Sequence, residues 1–153
     1  MTLTYRPATP DDARSLAPRL RPADAQEVRL SAGEHTEDIL IQSVLASYAA
    51  EAVVLDGTVI CLRGIVPGGD GAIGIPWLLG SPEVARFTKH LVGGAKRWVL
   101  AMQERYPVMV NMVHAENTLA IKWLQHIGFT LGPLYPEWGV GKAPFYQFYR
   151  RKQ

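Results

Sequence analysis

The chain has 153 residues, with 16 Lys and Arg against 14 Asp and Glu, four His, a single Cys and 48% hydrophobic side chains. A chain of this length buries roughly 70% of its unfolded surface, so one domain over 1–153 is expected to form a core unaided, and the lone Cys61 excludes both a disulfide framework and a cysteine metal cluster. Charged residues are only 20% of the chain with both signs scattered, which argues against disorder; a net charge of +2 without a basic stripe gives nucleic-acid binding no support, and no apolar run or charged leader points to a membrane span or secretion.

Thr2 to Arg6 alternates like a short strand and meets Pro7-Ala8-Thr9-Pro10-Asp11-Asp12, which reads as a helix start. Thr9 can accept from orphan N–H groups, Pro10 fits the first helical position, and two acids face the positive helix end. The helix ends before Pro18 or bends there. Arg21–Ala32 and Glu34–Ala46 carry apolar residues at helical spacing, separated by Gly33. Alternation then sets in on both sides of Asp56-Gly57, a strong hairpin signal because a tight primed turn needs positive φ. Ala72–Leu79 reads as an apolar strand interrupted by Pro76, where a bulge or a local departure from pairing is expected.

Ser81-Pro82-Glu83 resembles a helix opening, and the run to Tyr106 places Val84, Phe87, Leu91, Ala95, Trp98, Val99 and Met102 on one face. Val108–Val113 reads as a short buried strand, Asn117–Ile127 as a helix stopped by Gly128, and Phe129–Arg150 as two strands around a Gly- and Pro-rich connection. Cys61 lies in an apolar strand, so packing rather than nucleophilic use is expected. Trp77, Trp98, Trp123 and Trp138 read as core or interface, and no His spacing suggests a metal site.

This order is similar to the GNAT fold of acyl-CoA-dependent N-acetyltransferases. Tyr5–Asp12 looks like the common start of that family, and Asn117-Thr118-Leu119-Ala120-Ile121-Lys122-Trp123-Leu124-Gln125-His126-Ile127-Gly128-Phe129 matches its late helix with Asn, Ala and Gly-Phe in register. The resemblance implies an α/β (α+β) fold with a mixed, mostly antiparallel sheet of about six to seven strands flanked by helices. Gly74-Ile75-Pro76-Trp77-Leu78-Leu79-Gly80, with Asn111, Asn117 and Trp123-Leu124, further resembles a GNAT-like family of short-tailed bacteriophages associated with the virion head or internal core.

The GNAT likeness implies acetyl-CoA as cofactor, with Leu78, Gly80, Ser81, Val84 and Asn117 as the residues that would hold it. Its diphosphate would meet backbone N–H groups at a helix N-terminus. Here a single glycine stands in Leu78–Val84, Pro82 removes a donor and Glu83 places a negative charge there. Arg86 and Lys89 would offset part of that charge. The family's general-acid tyrosine, seven residues beyond the Asn, is Leu124 here, and Tyr135 or Tyr146 are not placed by the sequence. His114 and Glu116 are the candidate bases, against the plainer roles of strand-end histidine and helix-start acid; Asn117 either caps the helix or faces the cleft.

Two functions follow from the resemblance. One is a phage- or prophage-encoded protein with a degenerate acyl-CoA site, acting through contacts with virion structural proteins in the host cytoplasm or the particle. The other is an active N-acetyltransferase modifying an amine on a small molecule or host protein. Neither involves nucleic acid or membrane, and homo-oligomerisation stays open.

Overall fold

The computed structural model describes residues 2–153. β1 (Leu3–Pro7) leads into α1 (Pro10–Leu16), which Thr9 caps as expected: its side chain accepts from the Asp12 N–H, and Asp12 bonds back to the Thr9 N–H. Arg6 adds a two-pronged pair to Asp12, at 2.7 and 2.8 Å, that ties strand to helix and holds the Asp12 carboxyl below its usual range. At Pro18 the chain tightens into a 3-10 turn, Ala17–Arg19. α2 (Pro22–Ala32) and α3 (Thr36–Ala46) follow, parted by Gly33.

β2 (Ala49–Leu55), β3 (Thr58–Pro67) and β4 (Ile73–Gly80) form an antiparallel meander. Asp56 and Gly57 turn β2 into β3 with φ of 48° and 87°, as a primed turn requires. The helix expected to open at Ser81 begins later. Pro82–Phe87 is a 3-10 helix, Ser81 makes no side-chain cap, and the α-helix α4 runs from Thr88 to Arg105. β5 (Val108–His114), α5 (Thr118–Ile127), β6 (Thr130–Trp138) and β7 (Ala143–Arg151) complete the chain.

The seven strands lie in the order β1-β2-β3-β4-β5-β7-β6, with only β4 and β5 parallel. One core joins α1–α3 to one sheet face through Leu16, Leu40, Val44, Leu62 and Leu79. On the opposite face, Ile65, Val99, Tyr106, Met109 and Phe148 pack beneath α4 and α5. Cys61 is buried among Val53, Ile60 and Leu91, in the packing role expected of it, and burial pushes its thiol up to about 12. No helix among the described residues is long and apolar enough to cross a membrane.

Candidate active site

β4 and β5 pair only at Ile73↔Val108 and Gly74↔Met109, then part. Pro76 sits where they separate. It keeps register with Ile65 of β3, so no bulge forms on that side. The departure from pairing falls on the β5 side. The Pro76 carbonyl faces the gap and accepts from Asn111 Nδ2 at 2.8 Å. A residue's N–H and C=O share a direction in a strand, so the donor proline lacks would have pointed into the opening. By the same alternation, Leu78 directs its N–H and C=O there.

The gap opens into a cavity of about 240 Å³ that passes through the sheet. On the α2–α3 face it is lined by Glu27, Ser43, Trp77, Trp138 and Phe145; on the other by Leu78, Asn111, Trp123 and Leu124. Leu124 thus stands at the cavity wall without a proton to give. Tyr135 is exposed and Tyr146 packs beneath α4 and α5, and neither lines the cavity.

The polar cluster at one end was not expected from sequence. α2 begins against the end of β4: the Arg21 N–H donates to the Gly80 carbonyl at 2.8 Å, and the Gly80 N–H donates to Asp24 Oδ2 at 2.9 Å. Asp24 also pairs with Arg21 at 2.8 Å. Asn117 Nδ2 donates to both Asp24 Oδ1, at 3.0 Å, and Glu27 Oε1, at 3.2 Å, and the His114 backbone N–H donates to Glu27 Oε1 at 2.9 Å. Burial raises both carboxyls from their usual values. For Glu27 the neighbouring Asp24 charge adds to burial, against the donors His114 and Asn117, and it reaches about 7.

Of the residues singled out in the sequence, Leu78 lines this opening, and Asn117 lies behind it as a donor to Asp24 and Glu27 that makes no capping bond. The His114 side chain is buried against Phe145, ring centroids 5.2 Å apart, and what it offers Glu27 is its backbone. Glu116 is exposed in the turn before α5. Gly80, Ser81 and Val84 form the turn after β4, where the amides are already used: Gly80 on Asp24, Ser81 on the Ile60 carbonyl, Val84 on the Ser81 carbonyl. The Ser81 side chain beside it, and after that its own backbone N–H, hold the Glu83 carboxyl below its ordinary pKa.

The helix end that could face an anion is therefore that of α4, at Thr88, where a 3-10 helix runs directly into it and no glycine stands between Ser81 and Val92. Exposed Arg86 and Lys89 supply positive charge beside it. An acyl-CoA bound in the gap would meet the Leu78 N–H as donor, with Asn111 across the opening, and its diphosphate would meet side-chain cations instead of a cradle of free amides. Among the described residues no cluster of His, Cys, Asp and Glu could hold a metal.

No protein-family model and no curated protein matches the sequence. Solved structures do match over nearly the whole chain. An Ard1 from Thermoplasma volcanium shares 17% identity at a TM-score of 0.73, covering 100% of this chain and 99% of its own. A GNAT-family acetyltransferase from Streptococcus pneumoniae shares 15% at 0.68, covering 99% and 100%. A GNAT-superfamily phosphinothricin acetyltransferase from Sinorhizobium meliloti, solved with AcCoA, shares 16% at 0.67, covering 99% and 89%. At these identities the likeness concerns architecture: the chain has the GNAT fold, a seven-stranded, mostly antiparallel sheet flanked by five helices.

Proposed function

We propose that this protein transfers an acyl group from an acyl-CoA thioester to an amine in the gap between β4 and β5, with Glu27 as general base. The observation that carries the reading is a carboxyl of pKa about 7 facing a through-sheet cavity, oriented by Asn117 and the His114 N–H. A base poised near neutrality suits proton abstraction from an amine. Acetyl-CoA, when bound, supplies an activated acyl carbon. The Leu78 N–H is aimed to donate to its carbonyl oxygen, where negative charge develops. Glu27 receives the proton whose loss from the bound ammonium frees the nitrogen lone pair, and the second proton passes from nitrogen to water as the C–N bond forms and the C–S bond breaks. Leu124 has no proton for the departing sulfur, so water supplies it. Neighbours in fold from Streptococcus pneumoniae and Sinorhizobium meliloti that are named acetyltransferases, the latter solved with AcCoA, support the same reading.

The test is CoA release from acetyl-CoA over an amine panel. Glu27→Gln is expected to lower kcat/KM by about 10²- to 10⁴-fold, the usual share of a general base. Retention of full activity by E27Q would remove Glu27 from the chemistry.

A second reading is favoured by the turn after β4, where Gly80, Ser81 and Val84 spend their amides internally. On that reading the protein is phage-encoded and catalytically silent, working through contacts with virion or assembly proteins. It predicts no heat on titration with acetyl-CoA or CoA, and copurification with particles. Micromolar acetyl-CoA binding would count against it.

A further inference from the structure

On the α2–α3 side the cavity has one charged group, Glu27, and walls that are otherwise mostly apolar. Trp77 is fixed by donating from Nε1 to Ser47 Oγ at 2.9 Å. Trp138 and His114 both pack against Phe145, with centroid distances of 4.9 and 5.2 Å. The tip of the β6–β7 hairpin closes this side. The Gly141 N–H donates to the Leu30 carbonyl at 2.9 Å and the Val140 N–H to the Ser31 carbonyl at 3.4 Å. The approach is close enough to need glycine: an added Cβ would stand 2.5 Å from the Leu30 oxygen at position 139 and 2.7 Å from Leu30 Cδ2 at 141. A hairpin latched to the last turn of α2 leaves no open groove on that flank for an extended chain.

We propose that the acceptor is a small primary amine on a compact apolar or aromatic body, its ammonium against Glu27 and its body against Trp77, Trp138 and Phe145. This inference rests on the acyl-transfer reading and names the substrate class of the same site. A volume of about 240 Å³, below the ~300–1,000 Å³ of most ligand pockets, limits the size. The mostly apolar walls give the second nitrogens of a polyamine, or the backbone of a peptide, little to replace their water. Aromatic faces, by contrast, favour both an apolar body and an ammonium.

Binding without acyl donor tests the inference separately from turnover. At pH 8 the full chain is titrated with 2-phenylethylamine, spermidine and a lysine-containing peptide while the Trp indole N–H signals are followed by NMR. 2-Phenylethylamine is expected to shift the Trp77 and Trp138 signals, with affinity at least tenfold above spermidine and the peptide. Trp138→Leu should weaken it about tenfold. Gly141→Val, which forces the hairpin off Leu30, should narrow the preference; should that variant not fold, the Trp138→Leu result decides. Spermidine or peptide binding as well as 2-phenylethylamine, no indole shift with 2-phenylethylamine, or unaltered affinity in Trp138→Leu would each overturn it. Spermidine acetylation would sink this inference and leave acyl transfer standing; selective binding of 2-phenylethylamine without turnover would count against acyl transfer and leave the cavity as a binding site for such amines.

Discussion

Glu27 and Asp24 lie one helical turn apart on α2 and share a single amide donor, Asn117 Nδ2. Burial is what chiefly raises Glu27 to about 7, and the Asp24 charge adds to it, since two carboxyls so placed cannot both ionise without cost. The consequence for stability has a definite sign. Glu27 titrates near 4.5 unfolded and near 7 folded, so the folded protein binds the proton more tightly. That contribution is fully present below about pH 4.5 and is lost as pH rises through 7. Glu27→Gln is therefore expected to leave stability nearly unchanged at pH 5 and to raise it by about 1–3 kcal/mol at pH 8 in urea unfolding. Asn117→Ala should act oppositely, costing about 1–3 kcal/mol by leaving both carboxyls short of a donor. It should also move the Glu27 titration upward, readable by NMR.

At the scale of elements, the departure from the usual acyl-CoA site lies in the connection from β4 to α4. Pro82–Phe87 forms a 3-10 helix and the amides of the turn before it are already bonded within the protein, so on the acyl-transfer reading side-chain charge would have to replace backbone donors. Such attraction is screened by salt. Lys89→Ala is thus expected to weaken acetyl-CoA binding by about three- to tenfold at low salt and much less at 0.5 M, measured calorimetrically. An unaltered Kd at low salt would show that α4 does not receive the diphosphate. The sequence made the loss of the glycine loop legible, but placed the helix start at Ser81, because a Ser-Pro-Glu triplet opens 3-10 and α-helices alike. Pro76 was read well: a strand residue without a donor had to face an unpaired side, and that side is the gap toward β5.

At the scale of the molecule, the order of strands and helices along the chain was legible, since alternation, the Asp56-Gly57 turn and the Thr9 cap of α1 each report on local geometry. The catalytic candidate was not. Asp24 and Glu27 are separated by three residues on an amphipathic helix, a spacing that places both on one face, yet acids on a helix are ordinarily solvated. Only the docking of α2 on Gly80, some fifty residues on, turns that face inward. His114 and Glu116 were drawn from the strand end that does meet the site. There the backbone of His114, not its imidazole, reaches Glu27, and Glu116 points to solvent. Trp77 and Trp138, read as packing residues, line the cavity.

The most direct test of acyl transfer at this gap is the rate of CoA release from acetyl-CoA with 2-phenylethylamine, measured from pH 5.5 to 9 for the native chain and for Glu27→Gln. The native protein is predicted to show a rising limb with an apparent pKa near 7, and E27Q to lose that limb along with at least about a hundredfold in rate. Turnover by E27Q at the native rate with the same limb would contradict the account.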